Sequence, residues 1–172
     1  RSEPQDSDHP DSLFRMHFVN RSIHTVRQLQ DLVQAVLEYS RLSTDSNRMR
    51  RVDLNRVVND IVAEVTANPE GRDAVIFAES LPFVVGDPAL LASLFRNLIG
   101  NALRYRSSAA PSIEIRSEEH GREWQFSVTD NGIGFDPAEA EDLFVILHRG
   151  ANAAQIPGNG LGLATSKKIA EL

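Results

Sequence analysis

Two glycine-rich runs hold the residues most capable of chemistry. Asp130-Asn131-Gly132-Ile133-Gly134-Phe135 sets an acid ahead of two closely spaced glycines, and Gly158-Asn159-Gly160-Leu161-Gly162-Leu163-Ala164 follows further along. Gly132 and Gly134 permit backbone conformations and close approaches that a Cβ obstructs. A flat base can therefore lie beside the Asp130 carboxylate, with an adenine amino group as its natural donor. The second run can present backbone N–H groups at the start of a helix near Leu161, where aligned peptide dipoles favour phosphate. One turn would read a base and the other would hold phosphates. Glycines in turns also serve as plain loops, so the chemistry requires a third element.

Leu94-Phe95-Arg96-Asn97-Leu98-Ile99-Gly100-Asn101-Ala102-Leu103-Arg104-Tyr105-Arg106 supplies it. Leu91, Leu94, Phe95, Leu98 and Ala102 recur at three- and four-residue steps, which predicts an amphipathic helix over Leu90 to Tyr105. Asn97, Asn101 and Arg104 fall on a different face. A carboxamide oxygen is a hard, neutral ligand suited to Mg²⁺, which keeps waters and nucleotide phosphates among its ligands. Arg104 adds positive charge; the alternative is an ordinary solvated helix face. Gly100 costs about 1 kcal/mol inside a helix, which predicts close packing or ligand approach there.

In this order the segments resemble the N, G1, F and G2 boxes of the sensor histidine kinases, part of the wider ATP-binding group that includes gyrase, Hsp90 and MutL. Asn97 to Arg106, preceded by Gly86-Asp87-Pro88, resembles the N box; Asp130 to Gly134 the G1 box; Gly158 to Leu163 the G2 box. Asp142-Leu143-Phe144-Val145-Ile146-Leu147-His148-Arg149 is similar to the F box and the opening of the ATP lid, in a form close to the phytochrome-type kinases. The resemblance implies ATP and Mg²⁺ as cofactors. It implies that Asp130 binds the adenine amino group, with Gly132 and Gly134 shaping the base pocket. Asn101, with Asn97 one turn earlier, would hold Mg²⁺. Arg104 stands where the family usually has Lys and would face the phosphates, and Tyr105 would lie by the base or ribose. Phe144 would anchor the lid and Arg149 approach the γ-phosphate, while Gly158, Gly160, Leu161, Gly162 and Leu163 would close round the phosphates. The gyrase and MutL branch places a water-activating acid four residues before the Asn; here that position is Asn97. The implied reaction is transfer of a phosphoryl group to histidine.

None of the five histidines stands in the family's acceptor pattern of His, acid, hydrophobe, Arg, any residue, Pro. His24 begins His-Thr-Val-Arg and keeps only the Arg, so it is read as a surface histidine and the acceptor is expected upstream of Arg1. Val19, Val26 and Val33 recur at heptad spacing with Ile23, Leu29, Val36 and Leu37 beside them, which predicts a broad-faced bundle helix. Its ending, Val36 to Leu42, resembles the second helix of the kinase dimerisation and phosphotransfer hairpin.

These anchors divide the chain into a polar tail at 1–12, a partial dimerisation helix at 13–42, a linker at 43–51 and an ATP-binding domain at 52–172, whose closing strands would lie beyond Leu172. Within the domain the pattern predicts a helix over Leu54 to Ala67 and strands at Ala74 to Ala78 and Phe83 to Val85. Ser112 to Ser117 and Glu123 to Thr129 alternate around Glu119-His120-Gly121-Arg122 as a hairpin, and Leu161 to Leu172 reads as a helix. The expected class is α+β: a two-layer α/β sandwich, a mixed sheet with helices on one face, preceded by a long bundle-forming helix.

Composition excludes several roles. Acidic residues outnumber basic ones, 24 to 18, for a net charge of -6, which argues against nucleic acid as the main partner. With no cysteine there is no disulfide, thiolate metal site or cysteine nucleophile. No stretch approaches the roughly 18 apolar residues needed to span a bilayer. Two functions follow: the catalytic portion of a cytoplasmic sensor histidine kinase, homodimeric through its helical bundle and addressing a response-regulator receiver domain, or a non-catalytic nucleotide-binding and dimerisation module acting through protein contacts. The lid pattern points to a light-sensing parent by analogy.

Overall fold

The computed structural model describes residues 48–172, apart from Glu70, Arg122, Ala154, Gln155 and Pro157, together with Val19, Val26, Val33, Val36 and Leu37. Those last five are helical and 42–56% exposed. They are part of the apolar set expected of a bundle helix; Ile23, Leu29, the tail, His24 and most of 13–47 lie outside the described residues. The chain divides into two compact units, residues 1–40 and 41–172.

In the second unit, β1 (Arg50–Asp53) pairs antiparallel with β3 (Phe83–Gly86). Arg50 and Arg51, read from sequence as linker, begin this strand. Their charge masks a four-residue strand whose edge is closed by pairing, and the Arg51 guanidinium lies 4.3 Å over the Phe83 ring. Asp53 ends β1 and caps α1 (Leu54–Ala67), accepting the Asn55 N–H at 3.0 Å. Helix α1 has the predicted limits. Its Leu54, Val58 and Ile61 are buried at four- and three-residue steps, as one face of a 3.6-residue period requires.

Asn55 also clamps a distant loop. Its Nδ2 donates to the Leu81 carbonyl at 2.6 Å and its Oδ1 accepts the Leu81 N–H at 2.8 Å. Leu81 is buried, so Asn55→Ala leaves both backbone groups unmatched and is expected to cost about 2 kcal/mol. A urea midpoint equal to the parent's would contradict this.

Helix α2 (Pro88–Arg104) starts earlier than the periodicity predicts, because Asp87 caps the Ala89 N–H at 2.8 Å and Pro88 occupies the first turn. Proline has no N–H to lose there. Strands β2 (Val75–Ala78), β4 (Ser112–His120) and β5 (Glu123–Asp130) form a mixed sheet in the order β2-β4-β5, with β2 parallel and β5 antiparallel to β4. The hairpin is tighter than expected: pairing persists to His120↔Glu123, and Gly121 takes φ 68° in the loop. Ile113 and Ile115 on β4 pack into one core with Phe95, Ile99 and Ala102 of α2 and the buried face of α1. Phe95 meets Phe126 edge to face, centroids 5.9 Å apart. The predicted α+β layering is the observed one. Helix α3 (Gly162–Ala170) packs on α2, and no helix among the described residues is long and apolar enough to cross a membrane.

Candidate functional site

With Phe95, Ile99 and Ala102 in the core, the same periodicity turns Asn97, Asn101 and Arg104 away from it. Asn97 and Asn101 are half-buried and Arg104 is exposed. The start of α3 lies against the asparagines: Asn97 Nδ2 donates to the Gly162 carbonyl at 3.4 Å. A methyl group on Gly162 would stand 3.7 Å from Asn101 Nδ2 and 3.9 Å from its Oδ1. Gly100, for which close packing is one expectation, has no atom of the described residues within 4 Å of a Cβ position.

The first glycine run follows β5. Asp130, exposed at the strand end, accepts the Gly132 N–H at 2.8 Å through Oδ1. Asn131 ties the turn to the approach of β4, accepting the Ser112 N–H at 2.9 Å and donating to the Ala110 carbonyl at 3.0 Å. The Ile133 N–H then donates to the Tyr105 carbonyl at 2.9 Å. Gly132 passes so close to that carbonyl that a Cβ would fall 2.5 Å from it. The turn is thereby docked on the C-terminal end of α2, next to Arg104 and Tyr105.

Residues 136–157 connect the two runs, and among the described residues they contain three short 3-10 turns, Pro137–Glu139, Asp142–Phe144 and Ala151–Ala153. Phe144, expected to anchor this segment, is 42% exposed, whereas Leu143 is half-buried and packs towards Gly150. Arg149 donates to the Ile156 carbonyl, holding the segment to itself. The Leu147 N–H donates to the Gly160 carbonyl at 3.0 Å, and both residues have positive φ, 66° and 67°. Among the described residues, His148 Nε2 is buried with no hydrogen-bond partner. Asn159 Oδ1 accepts the N–H of buried Leu161 at 3.2 Å. At Gly158 a Cβ would lie 3.5 Å from both Arg104 Nη1 and Tyr105 Oη.

Asn97, Asn101, Arg104, Tyr105, Gly132, Gly158 and Gly162 thus gather around the C-terminal half of one helix, with Asp130 carried in by Gly132. Phe144 and Arg149 are not shown against this cluster. Sequence reasoning missed the bracing roles of Asn131 and Asn159, although an Asn inside a glycine turn signals side-chain bonding to nearby backbone. It also missed Leu147, because leucine carries no signal for positive φ. Among the described residues, no three His, Asp or Glu side chains are placed to hold a metal ion.

Residues 86–172 match the family model described as Histidine kinase-, DNA gyrase B-, and HSP90-like ATPase. The chain is 35% identical over 154 residues to "Cyanobacterial phytochrome A" of Nostoc sp., covering 90% of this chain and 20% of that protein. It is 33% identical over 154 residues to "Phytochrome-like protein Cph1" of Synechocystis sp., covering 90% of this chain and 21% of the relative. The chain therefore spans about a fifth of the length of either. The solved "Mycobacterial sensor histidine kinase MprB" superposes with a TM-score of 0.64 at 26% identity, over 71% of this chain and 80% of that one.

Proposed function

The chain belongs to the Histidine kinase-, DNA gyrase B-, and HSP90-like ATPase family, and from that premise we propose that it is the Mg-ATP-binding catalytic portion of a sensor histidine kinase. Residues 52–172 would bind the nucleotide, 43–51 link, and 13–42 dimerise with a second copy. One observation carries the reading: both glycine runs converge on the end of α2, Gly132 at the Tyr105 carbonyl and Gly162 beside the Asn97 and Asn101 carboxamides.

The residues then have distinct work. Asp130 accepts the adenine amino group, and Gly132 and Gly134 keep the base close to the main chain. Tyr105 borders the base or ribose. Asn101, helped by Asn97, would hold Mg²⁺; two neutral carboxamides, with no acidic cluster among the described residues, fit an ion that takes its remaining ligands from phosphate and water. The bound ion would neutralise phosphate charge. Arg104 faces the phosphates, N–H groups from Leu161 to Leu163 bind them, and Phe144 and Arg149 belong to the segment that closes over them. Transfer forms a P–N bond to a histidine on an upstream helix and breaks the γ-phosphate bond to ADP. Hydrolysis is disfavoured because the position one turn before Asn101 holds a neutral amide already bonded to Gly162. Exposed Val19, Val26, Val33, Val36 and Leu37 support dimerisation, and relay to a receiver-domain aspartate on the cytoplasmic side completes the proposal.

The test supplies labelled ATP to this chain, alone and with a longer chain bearing the upstream helix, and looks for acid-labile, base-stable phosphate. Label on the longer chain is expected; nucleotide binding without transfer would favour a non-catalytic module. Asn101→Ala is expected to weaken Mg²⁺-dependent binding about tenfold, the worth of one lost contact to a charged group. Equal loss with and without Mg²⁺ would remove Asn101 from the metal.

A further inference from the structure

Leu147 has φ 66° in a region of the backbone that a Cβ disfavours. Its side chain does not explain this, being 49% exposed. The backbone accounts for it: Leu147 is the third residue of a turn closed by the His148 N–H donating to the Val145 carbonyl at 3.1 Å, a position that calls for positive φ, and from there its own N–H donates to the Gly160 carbonyl at 3.0 Å. Gly160 mirrors it at φ 67° and approaches so closely that a Cβ there would stand 2.6 Å from the His148 carbonyl oxygen and 2.8 Å from the Leu147 carbonyl carbon. Leu147 and Gly160 are thus clasped by a backbone hydrogen bond, and the Arg149 side chain holds the Ile156 carbonyl within the loop between them. Gly160 leads within two residues to Gly162, which Asn97 and Asn101 flank.

We propose that Leu147 is a positioning residue of the nucleotide site. The clasp it forms with Gly160 seats the phosphate-binding turn against the asparagines, and the strain at Leu147 sets how readily that turn lets go. This rests on the nucleotide reading above. A glycine at 147 would hold the clasp shut at less cost; the leucine keeps it close to release.

A graded series separates backbone strain from side-chain packing. Leu147→Gly removes the φ penalty, Leu147→Asn lowers it because Asn tolerates this region, Leu147→Ala retains it while deleting the side chain, and Leu147→Val increases it. In the full 172-residue chain, release of a fluorescent ATP analogue is expected to slow about tenfold in Leu147→Gly and less in Leu147→Asn. Ala should match the parent and Val should release faster. The protection of the residue-147 amide against hydrogen exchange, measured without nucleotide, should follow the same order. That second reading does not need nucleotide to bind, so a failed nucleotide assignment would silence the release data and leave the clasp testable. Release and protection that are flat across the series, or Ala behaving like Gly, would overturn the proposal.

Discussion

Asp130→Asn is expected to lower affinity for an ATP analogue about a hundredfold while leaving the unfolding midpoint unchanged. The change is isosteric, and an asparagine oxygen can still accept the Gly132 N–H that Asp130 Oδ1 accepts at 2.8 Å. The turn therefore keeps its internal bond. What remains to face the adenine amino group is then an NH₂, so an acceptor is replaced by a donor pointing at a donor. A hydrogen bond to a charged group is worth about 1.5–3 kcal/mol, or roughly ten- to a hundredfold in affinity, and the donor–donor conflict places the result at the upper end. The same substitution should narrow the preference for ATP over GTP, whose base presents a carbonyl where adenine presents the amino group. Titration calorimetry with both analogues and a thermal melt decide the matter. An affinity within about threefold of the parent, less than 1 kcal/mol, would remove Asp130 from the base.

Gly132→Ala should be worse for the protein than any conservative change at its neighbour Gly134. A Cβ at 132 would meet the Tyr105 carbonyl oxygen at 2.5 Å and Asp130 Oδ1 at 2.6 Å. The carboxylate can swing aside, but the carbonyl is main chain at the end of α2 and already accepts the Ile133 N–H. Relief must come from lifting the whole turn off the helix, which breaks that bond and moves Asp130 with it. Overpacking of this kind costs about 1–3 kcal/mol, with the lost docking bond adding about 1 kcal/mol. Gly134 has φ 65° but no atom of the described residues within 4 Å of a Cβ, so alanine there meets the left-handed backbone penalty, about 1–2 kcal/mol. Urea unfolding and analogue titration on both variants should show Gly132→Ala the less stable and without measurable binding. Equal losses at the two positions would mean that the approach to Tyr105 is relieved at little cost and is not what makes 132 a glycine.

The contrast between those two glycines shows where sequence reading stops. Both were legible as turn residues, since glycine is the residue that positive φ and close approach demand. Which of them needs space and which needs φ was not legible, because Tyr105 belongs to another element. The limits of α1 came directly from local signals: apolar residues at helical steps from Leu54, and Asn68-Pro69 after Ala67, with the Asp53 cap seen only in the structure. Strand β1 did not, because Arg50-Arg51-Val52-Asp53 is short and charged and becomes a strand through its pairing with Phe83–Gly86. Phe144 was read as an anchor from its type and place in the motif. The structure leaves it 42% exposed, since burial depends on what packs opposite.

By itself the sequence determined the order and kind of the working parts: a helix with asparagines on one face and leucines on another, and two glycine turns, one led by an acid. These follow from periodicity, capping and backbone permissiveness, which act over a few residues. Only the tertiary structure decided that the parts meet. Asn97 reaches the Gly162 carbonyl across 65 residues of chain, the Gly132 turn lands on the Tyr105 carbonyl, and the Leu147 N–H finds the Gly160 carbonyl. Contacts of that range are selected by the shared core of α1, α2 and the sheet, where a side chain's partner is set by the packing of whole elements and not by its neighbours in sequence.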